Sequence, residues 1–167
     1  VSGWRIRSKK LGDIVNSAPV FEDGVVYCGA NDGMLHAFIA ETGQELFAHV
    51  PGLVFDNLRF LADPGYSHRV YVDLTPNVKK GAGILGGFTP KTLLVGGLGR
   101  GGKGYFGLDI TCAKSNATES ELADRVLWEF PRSVDPDMGY SFSKAVTVPS
   151  NSSMHPWVVI FGNGYNS

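Results

Sequence analysis

The chain has 167 residues, a length that suits one domain, and 43% of them are hydrophobic, enough for a real core. Charges nearly cancel at a formal net of −1, so nothing points to nucleic acid, whose binders carry a strong basic excess on one face. No apolar run reaches the ~18 residues of a membrane span, and the opening VSGWRIRSKK lacks the apolar centre of a signal peptide.

The chain begins without Met, so a signal removed upstream, or excision from a longer protein, stays open. With 22 glycines and 11% aromatics, short strands and tight turns are favoured over helices. The first dense charge is Arg5, Arg7, Lys9 and Lys10. Arg5, Arg7 and Lys9 alternate, which reads as one solvated face of an edge strand. Ser17 to Phe21 leads into an apolar run, Val25 to Gly29, closed by Asn31-Asp32-Gly33. Asp-Gly and Asn-Gly tolerate the positive φ of a primed hairpin turn, so a second strand, Met34 to Ile39, is expected to fold back. Thr42-Gly43 makes the next turn before Glu45 to Ala48.

From Leu53 to His68, Val54, Leu58 and Leu61 recur at helical spacing until Pro64-Gly65, predicting a short helix on one face of the fold. His68 to Asp73 alternates and is expected to be the strand that begins the next unit. Lys79 to Gly87 is glycine-rich and reads as a mobile connection. Thr92 to Gly99, Tyr105 to Thr111 and Arg125 to Phe130 supply further strands. Between the last two, Ser115 to Asp124 is a polar surface loop with a helical turn expected at Glu119 to Ala123. Ser143 to Val148 and Trp157 to Gly164 close the series.

Three of these runs read alike: Val25 to Gly33, Thr92 to Gly99 and Trp157 to Gly164. Each is apolar almost without a break and ends in glycine, the pattern of strands buried on both faces. Their flanks repeat too, so each full unit is a four-stranded antiparallel meander. Face-to-face stacking of such sheets predicts an all-β chain, a partial β-propeller with short helical insertions. The expected division is a blade over 12–50, an insertion over 53–68, a blade over 69–131 with a loop at 115–124, and a partial blade over 139–167. A propeller needs four to eight blades of about 40–45 residues. This chain cannot close a ring: either it is a fragment, or its open edges pair with another copy.

Several motifs invite chemistry and fail on context. Gly97, Gly99 and Gly102 spell G-x-G-x-x-G, and Gly102-Lys103 approaches a phosphate loop. Both motifs need a helix after the glycines, and here a strand follows, so a flexible hairpin is expected. Asp135 and Asp137 are too few oxygens for calcium and read as a turn. His36, His49, His68 and His155 lack metal-ligand spacing. Cys28 and Cys112 have no C-x-x-C partner, and a bridge between them needs Cα atoms within ~7 Å, which sequence leaves open. No G-x-S-x-G nucleophile elbow occurs. Asn116-Ala117-Thr118 and Asn151-Ser152-Ser153 mark exposed loops. No catalytic, cofactor-binding or metal-ligating residue is assigned.

Gly12 to Val20, Val26 to Phe38, Leu94 to Gly99, Gly104 to Asp109, Leu127 to Phe130, Asp135 to Phe142 and Val159 to Ser167 resemble, in this order, the PilC/PilY family of type IV pilus-associated proteins. The resemblance runs over nearly the whole chain. It implies a C-terminal propeller related to quinoprotein dehydrogenases, in proteins exported through the periplasm to the pilus tip or outer surface. There they promote assembly, oppose retraction and adhere. Implied partners are pilus minor subunits or a host or abiotic surface. The family's calcium loop would lie past Ser167, so calcium is implied for the parent protein and for no residue here. The quinoprotein blade pattern is departed from at Ile39, where Asp is usual, and at Phe47, where a docking Trp is usual. Asp109 and Trp128 fit it in the second blade. Phe47, Asp109 and Trp128 are therefore the residues implied in blade packing.

Two other functions compete. A quinone-dependent dehydrogenase would need an acidic ligand set and, in many members, adjacent cysteines, both missing here. An outer-membrane assembly scaffold would share blades but lack insertions such as Leu53–His68 and Ser115–Asp124. Because loops on a rigid scaffold carry binding, these two insertions are the expected contact surfaces, with no individual contact residue singled out.

Overall fold

Apolar runs closed by glycine become strands, and each finds its partner across a short turn. The structure, a computed structural model, describes residues 3–83, 90–114 and 117–165. The first sheet holds β1 (Val20–Glu22), β2 (Val25–Gly29), β3 (Leu35–Ile39) and β4 (Glu45–His49), paired antiparallel in that order. The second holds β5 (Asn77–Gly83), β6 (Pro90–Gly97), β7 (Tyr105–Asp109) and β8 (Val126–Phe130), in the same order. A third, two-stranded sheet pairs β9 (Val146–Pro149) with β10 (Trp157–Ile160).

The expected hairpin between β2 and β3 forms, but not by a primed turn. Gly33 alone has positive φ there (94°), and the loop is wider, Ala30 donating its N–H to the Met34 carbonyl at 2.9 Å. The tight turn built from two positive-φ residues is instead Asp23-Gly24, between β1 and β2, with φ of 48° and 78°. Asp32 is left free to use its carboxylate as an acceptor.

Three expectations are corrected. Arg5 to Lys10 forms no strand; the chain from Gly3 to Pro19 is irregular and runs across the blade ends. His68 to Asp73 is not a strand either. Tyr71, Val72 and Asp73 are buried in succession, which a half-buried strand does not allow, because the segment passes between two sheets. The first strand of the second sheet is β5, which takes in Lys79 to Gly83 of the stretch expected to be a mobile connection. The remainder of that stretch, 84–87, lies outside the described residues.

The helical insertion is a chain of single turns: a 3-10 turn at Gly52–Val54, α1 (Phe55–Leu58) and a second 3-10 turn at Arg59–Leu61. The turn expected at Glu119 is α2 (Glu119–Ala123), capped by Thr118 and Glu121 in a reciprocal capping box.

Two apolar clusters cement the sheets. Val25, Tyr27, Leu35 and Ala37 meet Leu94, Phe106 and Leu108 between the first and second sheets. Leu93, Val95 and Tyr105 meet Met138, Ala145 and the partly buried Trp157 and Val159 between the second and third. The far face of the third sheet is uncovered, with Val146 51% and Ile160 58% exposed. Its apolar run therefore alternates in burial, whereas β6 is buried from Thr92 to Gly97. Among the described residues no helix is long and apolar enough to cross a membrane.

Candidate functional site

In an antiparallel meander, alternate loops emerge at the same end. The β2–β3 loop, the β6–β7 loop and the crossovers between sheets therefore share one face, and they are sewn together. The crossover into the second sheet bonds backward to the first: Tyr71 N–H donates to Asn31 Oδ1 at 3.1 Å and Val72 N–H to the Ala30 carbonyl at 3.4 Å. It then bonds to its own sheet, Asp73 N–H donating to the Leu98 carbonyl at 3.2 Å. The crossover into the third sheet repeats this. Ser141 N–H donates to the Gly102 carbonyl at 3.2 Å, and Gly139 N–H to the Asn163 carbonyl at 2.9 Å.

Side chains tighten the seam. Asn16 gives its backbone N–H and its Nδ2 to the two oxygens of buried Asp73, at 3.1 and 2.7 Å. Ser17 Oγ accepts from Gly29 N–H at 2.8 Å and donates to the Leu74 carbonyl at 3.3 Å. Close approach leaves no room at Gly29, where a Cβ would fall 2.3 Å from the Val72 carbonyl oxygen.

Beneath the β2–β3 loop lies an ionic cluster in which Asp32 and His36 are buried and Glu45 is half exposed. His36 Nδ1 meets Glu45 Oε1 at 2.5 Å, and Nε2 meets both Asp32 oxygens at 3.2 Å. Asp32 also accepts from Gly12 N–H at 2.6 Å and Met34 N–H at 3.2 Å. Burial alone would push the imidazole pKa down, but the hydrogen bonds and charges of the two carboxylates outweigh it and raise it. Burial likewise would raise Asp32, yet His36 and the Gly12 N–H bring it below the usual range. The same burial, with Asp32 close by, pushes the Cys28 thiol up, so it stays protonated. His49 is held differently: burial lowers it to about 4, its Nε2 has no hydrogen-bond partner among the described residues, and Glu129 lies 3.9 Å off.

On this same face opens a cleft of about 600 Å³. It is lined by Leu53 and Asp56 of the insertion, Gly102 and Lys103 of the β6–β7 loop, and Arg132 and Met138 of the crossover after β8. Glu129 fixes its shape by accepting the Gly52 N–H at 2.8 Å, which pins the insertion to β8. Val134 stands at the rim, 98% exposed. A concave site with a mixed polar and apolar lining and charges of both signs suits a polypeptide segment better than a small apolar ligand.

The residues implied in blade packing separate. Phe47 is partly buried against the cluster between the first two sheets. Trp128 is partly buried in the cluster between the second and third, lying against Gly107, where a Cβ would meet its ring at 2.5 Å. Asp109 serves its own sheet: it pairs with Lys91 and accepts from Thr111 N–H at 3.0 Å. Trp128→Ala is expected to cost about 3 kcal/mol, the low end for a large aromatic because the ring is partly exposed. A thermal melt unchanged by the substitution would contradict this placement.

The glycine-rich run forms a hairpin closed by a 3-10 turn, Gly99–Gly101, before β7. It is closely packed rather than flexible, with Gly99 buried and Gly101 against Tyr71. Asp135 caps a turn by accepting the Asp137 N–H at 2.9 Å. Cys28 is buried and Cys112 exposed, and no disulfide joins them. Among the described residues no three His, Cys, Asp or Glu side chains gather to hold a metal. Sequence reading missed Asn16, Ser17, Asp73, Ser141 and Glu129, small or polar residues with no periodic signature.

Stacked antiparallel four-stranded sheets, with one face of sewn crossovers, define a module of the β-propeller class, open as an arc. A sequence model described as the PilY1 beta-propeller domain matches residues 13–167. The chain belongs to this PilY1 β-propeller family. It is 45% identical over 142 residues to a type IV pilus biogenesis factor PilY1 homolog of Xylella fastidiosa, covering 85% of this chain and 9% of that protein. It is 36% identical over 199 residues to the type IV pilus biogenesis factor PilY1 of Pseudomonas aeruginosa strain UCBPP-PA14, covering 100% of this chain and 16% of that protein. The crystal structure of the P. aeruginosa PilY1 C-terminal domain is similar with a TM-score of 0.62 and 37% identity, covering 86% of this chain and 25% of that one. The chain thus spans 9% to 16% of the length of these curated relatives.

Proposed function

We propose that this chain is a blade-bearing segment of a type IV pilus biogenesis factor, non-catalytic, displayed at the pilus tip or outer-membrane surface. Its sewn face presents the cleft between the insertion and the Arg132–Met138 crossover to a segment of a pilus minor subunit, or to a host or abiotic surface. The observation that carries this reading is the 37% identity to the P. aeruginosa PilY1 domain together with a shared fold over 86% of the chain. Phe47 and Trp128 act as inter-blade packing. A calcium response of the parent would arise outside these residues. The uncovered face of β9 and β10 suits a further blade or, edge to edge, a second copy.

Deleting the parent gene is expected to remove surface pili or leave them retracted, and the intact gene restores them. A variant carrying Arg132→Glu and Val134→Asp, both exposed positions, should fold normally yet bind minor pilus subunits about tenfold more weakly or worse. Normal piliation after deletion, with outer-membrane barrel proteins misassembled, would favour the scaffold reading instead. Excess pyrroloquinoline quinone with calcium should give no spectral change and no dye reduction. Dye reduction would overturn the non-catalytic part alone.

A further inference from the structure

The basic segment at the start of the chain is not a sheet edge, and its true setting gives it a use. Arg5 donates its backbone N–H to the Ala62 carbonyl at 2.9 Å, and its guanidinium lies 3.4 Å from the Tyr66 ring centroid. At the other end Gly12 is held by Asp32, and Asp13 meets His68 at 2.8 Å. The arm is thus tied at both ends, to the helical insertion and to the β2–β3 loop. Arg7 folds back onto the Lys10 carbonyl at 2.9 Å. On the insertion and just past its end, the Arg59 and Arg69 guanidinium carbons lie 4.9 and 3.8 Å from the Phe60 ring centroid.

Stacking fixes the plane of a guanidinium while leaving its N–H edge directed outward, the geometry that takes a phosphate or carboxylate in a bidentate grip. None of Arg5, Arg59 and Arg69 gives a side-chain hydrogen bond or ion pair to a described residue. Arm, insertion and the adjoining Arg69 together hold six Arg and Lys, at Arg5, Arg7, Lys9, Lys10, Arg59 and Arg69, against three Asp. Of those, Asp13 is occupied by Asn31 and His68, and Asp63 by the Gly65 N–H. The chain as a whole carries −1, so this is a local excess. Beside the cations, Trp4 is 71% and Ile6 91% exposed. Exposed tryptophan and aliphatic groups set among cations match the headgroup region of a bilayer, where rings and short apolar chains sink and charges meet lipid phosphate. A duplex nucleic acid would use the cations and gain nothing from Ile6.

We propose that the N-terminal arm and the helical insertion form a docking surface for an anionic phospholipid membrane. The test is flotation of the whole chain with phosphatidylcholine vesicles, pure or with about one-quarter phosphatidylglycerol, at low and high salt. Binding is expected only to the anionic vesicles, and it falls as salt rises. Arg5→Gln, Arg59→Gln and Arg69→Gln combined should lower partitioning roughly 100-fold. Lys9→Gln with Lys10→Gln, in irregular exposed chain where folding is untouched, should lower it roughly tenfold. Ile6→Ser should weaken vesicle binding about tenfold. Equal binding to neutral and anionic vesicles, no flotation at all, or vesicle binding indifferent to these substitutions overturns the proposal. So does capture of a DNA duplex under conditions where anionic vesicles are not bound.

Discussion

Gly101→Ala is expected to destabilise the chain by about 3 kcal/mol or more, a fall in melting temperature of roughly 10 °C. A Cβ at this position would fall 1.8 Å from the Tyr71 carbonyl oxygen and 2.4 Å from its carbon. Those atoms are backbone, and the Tyr71 segment is already held by Asn31 and Ala30 on one side and Leu98 on the other. It cannot withdraw without opening the seam. Gly43→Ala provides the comparison: its φ is +72° and nothing lies within 4 Å of a Cβ there, so only left-handed strain acts, about 1 kcal/mol. Chemical denaturation of both variants decides the matter. Equal losses would mean that crowding at Gly101 is relieved by movement of Tyr71.

Asp32→Ala should cost about 3–5 kcal/mol, as breaking a buried ion pair does. It strands the Gly12 and Met34 N–H groups and leaves His36 with Glu45 alone. The pH profile carries the sign. His36 has a raised folded pKa, so its contribution is complete below about 6.5 and fades as pH rises through the folded value. Asp32 has a lowered one, so its contribution is present above about 3.8 and is lost as pH falls through the folded value. His49, held neutral to about 4, adds an earlier acid loss. Below pH 6.5 the unfolded chain takes up a proton that the folded chain refuses, reaching about 3 kcal/mol by pH 4. Stability is therefore expected to peak near neutrality, and His49→Leu should flatten the first part of the acid limb. An alkaline limb unchanged in Asp32→Ala would show that the His36 cluster does not govern it.

The strands were legible because an unbroken apolar run ending in glycine has few fates other than a strand buried on both faces. β2, β6 and β10 follow as strands from that alone, although β10 alternates in burial because its far face is uncovered. Period-2 alternation was a poorer guide. Arg5, Arg7 and Lys9 alternate, yet the arm is irregular because Arg5 finds the Tyr66 ring, a contact 61 residues away that no local pattern encodes. His68 to Asp73 alternates as well, but both sides of the segment are occupied, by Ala30 and by Leu98, and no ladder can form. Asn31-Asp32-Gly33 carried a turn signature whose Asp was drawn into the His36 cluster. The cleft was hidden for a related reason. Its walls come from the insertion, the β6–β7 loop and the crossover after β8, and only stacking brings them together.

The sewn crossovers make every junction of the arc the same kind of joint. Tyr71 and Val72 hold the sheet behind while Asp73 and Leu74 hold the sheet ahead, and Ser141 and Gly139 do likewise one step on. Cohesion is then nearest-neighbour, as in repeat arrays, and grows by one joint with each added sheet. Losing the last half-sheet removes a single joint and leaves the earlier one whole, so lineages could lengthen or shorten such an arc without redesigning what already stands.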